Sequence, residues 1–208
     1  MKILIIGSTG GTGKQLVQQS LEQDHETTAL VRDPSKLSFF HKNLTIVKGN
    51  VLDKGILLKA LEGMDAVLSA LGVGKSLKSN NLIENAVSVL IPAMNATQVK
   101  RLIFLSAFGV GETFMQASLI QKLAFRIFLR SIYADKEKGD EQIRNSGLEW
   151  TLVYPVLMTD NPGTGKYLVG EKLPMKGMPK ITRADVATFM LSQLTDNRFI
   201  KKSAVIMG

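Results

Sequence analysis

Gly7-Ser8-Thr9-Gly10-Gly11-Thr12-Gly13 carries the clearest chemical signal in the chain. It follows the apolar run Lys2-Ile3-Leu4-Ile5-Ile6. It precedes Lys14-Gln15-Leu16-Val17-Gln18-Gln19-Ser20-Leu21, whose apolar residues recur at helical spacing. A strand, a glycine-rich turn and a helix start, in that order, make a seat for phosphate. Glycines let backbone approach the anion, and the unpaired N–H groups and dipole of the helix start point at it. The spacing is Gly-x-x-Gly-x-x-Gly, not the Gly-x-Gly-x-x-Gly of the common dinucleotide fingerprint. A tight turn with no ligand would use the same glycines, so the surrounding residues must decide.

The next strand-like run, Thr27–Val31, ends in Arg32. In nucleotide-binding α/β sheets this position lies beside the adenosine ribose. An acid there accepts from the 2′-hydroxyl of NAD, and an arginine accommodates the 2′-phosphate of NADP. Asp33 could be taken for the acid. However, Asp33-Pro34-Ser35-Lys36 has the form of a helix start, with Asp33 as N-cap and Pro34 at the first helical position. Arg32, Ser35 and Lys36, with Ser8 and Thr9, are therefore expected to surround a dianionic group, and the expected cofactor is NADP(H). The plainer alternative for Arg32 is a solvated charge after a strand.

The elements that must position these residues follow from the apolar pattern. Leu44–Lys48 reads as a third strand, Lys54–Leu61 as a helix, Ala66–Ala70 as a buried fourth strand and Asn80–Gln98 as a long helix. Arg101–Leu105, Trp150–Tyr154 and Ala204–Met207 read as further strands. Continuous Val/Ile/Leu strands alternating with helices predict an α/β fold, a single-domain doubly wound parallel sheet. Ligands of such sheets bind beyond the carboxyl ends of the strands. The candidate segments are then Gly7–Gly13, Arg32, Asn50, Ser69–Gly72, Ser106–Gly109 and Tyr154–Met158.

Composition narrows the classes. At 208 residues the chain suits one sizeable domain. It has no cysteine and only His25 and His41, so neither a disulfide framework nor a metal site is expected. No signal peptide precedes the first strand and no apolar run has the length of a membrane span, so a cytoplasmic location is expected. The net charge is +8. The basic residues are spread out and lack the aromatic interleaving of an RNA-binding module, so an anionic small ligand is expected rather than nucleic acid.

Taken together, several motifs resemble the NAD(P)H-binding, atypical short-chain dehydrogenase/reductase family, in its flavin/biliverdin-IXβ reductase-like and NmrA-like branch. They are the glycine turn, Val31-Arg32-Asp33-Pro34, Gly49-Asn50-Val51-Leu52-Asp53, Ser69-Ala70-Leu71-Gly72, Phe104-Leu105-Ser106-Ala107, Ser146–Pro155 and Ile181-Thr182-Arg183-Ala184-Asp185-Val186-Ala187. The resemblance covers nearly the whole chain. It implies a single Rossmann-type domain with the pyrophosphate on the glycine turn and the 2′-phosphate on Arg32. Asn50 and Val51 would flank the adenine, Ser69, Ala70, Leu71 and Gly72 would line the riboses, Ser106 would sit near the nicotinamide, and Tyr154 and Pro155 would also border the cofactor.

The chain departs from that family in three places. Asn50 stands where many relatives have Asp, and Tyr154 where many have Arg before the proline. The Tyr-x-x-x-Lys pair of catalytic short-chain dehydrogenases is missing, because Tyr133 is followed by Glu137 at that spacing, with Lys136 three residues on. Ser106, Tyr133 and Lys136 are the catalytic candidates, but a surface pair is the preferred reading of Tyr133 and Lys136. Lys136, Asp140 and Arg144 at i, i+4, i+8 read as a helix-stabilising ladder.

A helical cap is expected over about 111–145. Its basic amphipathic stretch has Lys122, Arg126 and Arg130 on one face, and Leu119, Ile120, Leu123, Ile127 and Phe128 elsewhere. Phe108, Phe114 and Met158 are expected to line an apolar substrate pocket. The leading expectation is an NADPH-dependent reductase of a small planar acceptor of the flavin, quinone or tetrapyrrole type, monomeric or weakly dimeric, without a membrane partner. The alternatives are a non-enzymatic NADP(H)-sensing regulator or assembly factor, and a sugar-nucleotide epimerase-like enzyme. The last needs a substrate domain, for which little chain remains after Pro155.

Overall fold

The computed structural model describes residues 1–74, 76, 78–117, 122, 129–175 and 177–208. Its centre is β1 (Lys2–Ile6), whose Ile3, Leu4 and Ile5 are completely buried. The other strands are β2 (Glu26–Val31), β3 (Leu44–Lys48), β4 (Ala66–Ser69), β5 (Arg101–Leu105), β6 (Glu149–Pro155), β7 (Leu157–Thr159), β8 (Leu168–Gly170), β9 (Lys180–Thr182) and β10 (Lys202–Met207). The main sheet runs β3-β2-β1-β4-β5-β6-β10-β8, and β7 pairs β9 in a small second sheet. Every ladder of the main sheet is parallel except that between β10 and β8. This is the Rossmann-like α/β domain expected from the alternating pattern.

The helices whose full extent lies among the described residues are α1 (Gly11–Glu22), α2 (Lys54–Leu61), α3 (Leu82–Ala96), α4 (Arg130–Arg144) and α5 (Arg183–Ser192). α1 packs on α5, while α2, α3 and α4 form a second row. That double cover explains why the central strands are apolar throughout rather than alternating. No helix among the described residues is long and apolar enough to cross a membrane.

The differences from expectation have local causes. The long helix begins at Leu82 rather than Asn80, because Asn80 and Asn81 adopt left-handed φ of 50° and 53°. At its other end Gln98, at φ 60°, turns the chain away. The Asp33 cap starts a single 3-10 turn, Pro34–Lys36, with Ser35 N donating to Asp33 Oδ1 at 3.2 Å. β7, β8 and β9 are three residues each, too short to give a readable period. Of the basic stretch, Lys122 lies with its Nζ 5.6 Å from the Phe114 ring centroid. Leu119, Ile120, Leu123, Arg126, Ile127 and Phe128 lie outside the described residues.

One buried cation joins the far ends of the strands. Arg101 donates from Nε and Nη2 to the Gln193 carbonyl at 3.1 and 2.7 Å, from Nη1 to the Glu149 carbonyl at 2.7 Å, and from Nη2 to Thr151 Oγ1 at 2.8 Å. Burial pulls its pKa down to about 10. These bonds tie β5 to β6 and to the residue after α5. Arg101→Ala leaves two buried carbonyls without their donor, and it is expected to cost about 2–4 kcal/mol of stability in urea unfolding. A loss no larger than that of an exposed-lysine substitution would contradict this role.

Candidate functional site

The seven residues after β1 divide by what each glycine is for. Gly7 has φ +78°, and a β-carbon there would fall 2.6 Å from the Ala70 carbonyl carbon. A β-carbon on Gly13 would collide with the Gly7 carbonyl oxygen and lie 2.8 Å from Ser8 Cα. The fold itself therefore requires both. Gly10 is different. It sits at φ −75°, ψ 167°, open to any residue, and its nearest atom to a built β-carbon is Gly7 O at 3.4 Å. The protein gives no reason for glycine there.

Gly10 and Gly11 are exposed, and α1 starts with no side-chain cap and no acidic residue in its first turn. The N–H groups of Gly11, Thr12 and Gly13 have no intrahelical acceptor. Bare N–H groups at a helix start are a geometry that can hold an anion. Ser8 is not part of it: it is completely buried, and its hydroxyl donates inward to the Leu30 carbonyl at 3.4 Å, so the expectation that it faces a phosphate is corrected. Thr9 is half-buried, and Thr12 is buried with its hydroxyl against Met158 Sδ at 3.6 Å. Met158 thus packs beside the glycine turn.

At the end of β2, Arg32 is exposed and makes no ion pair with a described residue. Asp33 is engaged by Ser35 Oγ at 2.7 Å and Lys36 Nζ at 3.7 Å, and the Ser35 hydrogen bonds hold its carboxyl below the usual range. Asp33 is therefore a cap, and Ser35 and Lys36 lean on it while Arg32 does not. Asn50 is exposed and accepts from Leu52 N at 3.1 Å, and Val51 is buried. Ser69 is buried, Ala70 and Leu71 are half-buried, and Gly72 is exposed along the end of β4.

The end of β5 holds a polar network under α4. Ser106, 2% exposed, donates to Asp140 Oδ2 at 2.6 Å. The Tyr154 hydroxyl donates to the same oxygen at 2.9 Å and accepts from Arg144 Nη2 at 2.6 Å. Lys136 Nζ donates to the Leu105 carbonyl at 3.2 Å, and the Tyr133 hydroxyl to the Phe108 carbonyl at 3.0 Å. Asp140 is completely buried, and its Oδ1 has no hydrogen-bond partner among the described residues. Desolvation raises its pKa to about 6 against the pull of Ser106, Lys136, Tyr154 and Arg144. Burial lowers the pKa of Lys136 and raises that of Tyr133 to about 12; it also raises that of Tyr154.

Several expectations are corrected here. Tyr133 and Lys136 are not a surface pair, because α4 docks this face on the strand ends. The Lys136–Asp140–Arg144 spacing is not a solvated ladder, because Lys136 and Asp140 point inward. Tyr154 is completely buried with its hydroxyl on Asp140, and Pro155 is buried in β6, so neither side chain lines an open edge. Phe108 is 3% exposed and belongs to the core, whereas Phe114 is half-buried. Two residues were missed. Asp140 fitted a bland i, i+4 pattern, and Arg183, though part of the Ile181–Ala187 motif, lies over Gly11, a contact that nothing in that motif shows.

Comparisons with known proteins give the family and the fold. The NAD(P)H-binding family model matches residues 7–197. An isoflavone reductase-like protein of Olea europaea is 30% identical over 190 residues, covering 87% of this chain and 53% of that longer protein. The crystal structure of the oxidoreductase ylbE from Lactococcus lactis superposes with a TM-score of 0.84 at 25% identity, covering 100% of this chain and 91% of that one. A short-chain dehydrogenase/reductase from Veillonella parvula, solved in complex with NADP, shares the fold with a TM-score of 0.84 at 18% identity, over 100% of this chain and 94% of its own. The chain belongs to the NAD(P)H-binding family.

The buried carboxyl makes stability depend on pH in a stated direction. The folded pKa of Asp140, about 6, lies above the ordinary aspartate value of 3.8, so folding favours the protonated form. Its contribution is full at low pH and is lost as pH rises through about 6. The melting temperature of Asp140→Asn minus that of the wild type is expected to grow more positive from about pH 4.5 to about pH 8. A pH-independent difference would contradict the buried titration.

Proposed function

We propose that this member of the NAD(P)H-binding family is an NADP(H)-dependent reductase of a small planar acceptor of the flavin, quinone or tetrapyrrole type. The carrying observation is the pair at the end of β2: Asp33 is occupied as a cap, and Arg32 is exposed without an ion-pair partner. That leaves a planar cation, and no free acid, where a ribose 2′-substituent is read.

The bound nicotinamide supplies the hydride, and the protein's part is to hold and orient it. The amides of Gly11 and Thr12 would take the pyrophosphate, with Gly10 leaving room for it. Arg32, with Thr9, Ser35 and Lys36 nearby, would take the 2′-phosphate. Asn50 and Val51 would flank the adenine, and Ser69, Ala70, Leu71 and Gly72 the riboses. Ser106 has its proton engaged by Asp140, so its oxygen can only accept a further hydrogen bond. It therefore suits an N–H at the nicotinamide end rather than proton donation. Tyr133 keeps its proton through the neutral range and gives it to the Phe108 carbonyl, and Lys136 gives one of its own to Leu105. Both act here as fixed parts of the α4 dock. Phe114 and Met158, both half-buried, would line the acceptor.

A second reading is a non-enzymatic NADP(H) sensor. The observation in its favour is that Glu137, not lysine, follows Tyr133 by four residues, so the usual support for a reactive phenolate is missing.

Titration calorimetry tests the cofactor. Arg32→Ala is expected to weaken NADPH roughly ten- to a hundredfold and leave NADH little changed. Equal losses for both would remove Arg32 from the 2′-phosphate. NADPH oxidation across flavins, quinones and tetrapyrroles tests the reaction: turnover on one acceptor class is expected, and tight binding with no turnover on any would favour the sensor. With the best acceptor, Tyr133→Phe is expected to lose less than about tenfold in kcat, and Ser106→Ala more.

A further inference from the structure

A second wall approaches the glycine turn from β7 and α5. Arg183 is the first residue of α5, and its side chain lies across Gly11. A β-carbon on Gly11 would fall 2.6 Å from Arg183 Cδ, 2.9 Å from Nε and 3.6 Å from Asp160 Oδ1. Arg183 Nη1 donates to that Asp160 oxygen at 2.8 Å. The Arg183 side chain is 28% exposed and that of Asp160 85%. The surroundings are fixed. Thr182 Oγ1 caps α5 by accepting from Asp185 N at 3.0 Å. Gln19 Nε2 donates to the Ala184 carbonyl at 3.0 Å, and Thr188 Oγ1 to Gln19 Oε1 at 2.9 Å, which locks α5 to α1.

This placement is electrostatically odd for a purely structural arginine. The start of α1 carries the positive end of the helix dipole and unpaired N–H groups, so a guanidinium beside it is repelled. A first-turn carboxylate would relieve that, but α1 has none. Asp160 offsets the charge only from an exposed loop. Gly11, which has no left-handed φ, gives up its side chain to admit the arginine. A cation, a bare helix start and a glycine cleared for it become mutually favourable when an anion lies among them. Of its five N–H donors, only one is used on Asp160.

We propose that Arg183 is a ligand of the cofactor's pyrophosphate, clamping it against the Gly11–Thr12 amides, and that Asp160 competes with the diphosphate for it. This rests on the nucleotide-binding reading above. It makes the junction of the small sheet and α5 part of the cofactor site, and it assigns the diphosphate and the 2′-phosphate to separate arginines. The alternative is a surface strut between the β7 loop and α5.

Calorimetric titration with NADPH, ADP and 2′-AMP at fixed ionic strength tests it. Arg183→Ala is expected to weaken NADPH and ADP by a similar factor, roughly ten- to a hundredfold, and to leave 2′-AMP unchanged. Asp160→Asn is expected to tighten NADPH and ADP a few-fold, because a competing and repelling carboxylate is gone. Unchanged NADPH and ADP affinity in Arg183→Ala would overturn the proposal. So would an Asp160→Asn variant that loses affinity or leaves it unaltered, since a strut fails from either end. A wild-type protein that binds none of the three would instead overturn the nucleotide reading beneath it.

Discussion

Between Gly13 and the Gly7 carbonyl there is no room for one more carbon atom, and that contact sets the angle at which α1 leaves β1. Gly7 itself turns through a left-handed φ and lies equally close to the backbone after β4. Three chain segments are thereby held within a backbone's thickness of one another. The consequence is directional: the bare start of α1 points along the carboxyl edge of the sheet, where the ends of β2, β4 and β5 lie. The strands supply the rigidity, for they are apolar on both faces and packed between two helix rows.

The edge beyond β5 is built on a different principle. α4 is held to β5 and β6 by polar side chains beside the buried Ile143. Asp140 collects the hydroxyls of Ser106 and Tyr154, and Arg144 closes the chain through Tyr154. Burying a carboxylate with one oxygen unpartnered is costly, and Arg144 and Lys136 offset only part of that cost. The gain is geometric, because hydrogen bonds of fixed length orient Ser106 far more narrowly than packing would. The same logic applies to Arg101 at the opposite end of β5, where carbonyls rather than a carboxylate receive the buried cation.

The parallel sheet, the glycine turn between β1 and α1 and the capping role of Asp33 were legible in the sequence because each rests on short-range rules: apolar runs, turn residues and N-cap chemistry. The ends of the long helix were displaced because two asparagines took left-handed backbone, which their sequence permits but does not demand. The inward turn of Lys136, Asp140 and Arg144 was hidden for another reason. An i, i+4 spacing of charges fits a solvated ladder and a docked face equally, and only the packing of α4 chooses. Ser8 was misplaced because a hydroxyl beside glycines can turn toward a ligand or into the Leu30 carbonyl. Arg183 stood within the Ile181–Ala187 motif, but its contact with Gly11, far away in the chain, has no signal in the sequence.

The central claim is that the Gly10–Thr12 stretch holds the diphosphate of a nicotinamide cofactor, and Gly10→Val tests it most directly. Its extended backbone is one that valine adopts, and the nearest protein atom to a β-carbon there would lie 3.4 Å away. Unfolding stability should therefore fall by no more than about 1 kcal/mol, the cost of a poorer helix cap. Calorimetry on the folded variant should then find NADPH and NADH binding both lost, because the valine side chain stands where the diphosphate must lie. A variant that folds and binds either cofactor with wild-type affinity would contradict the account and move the phosphate away from this turn.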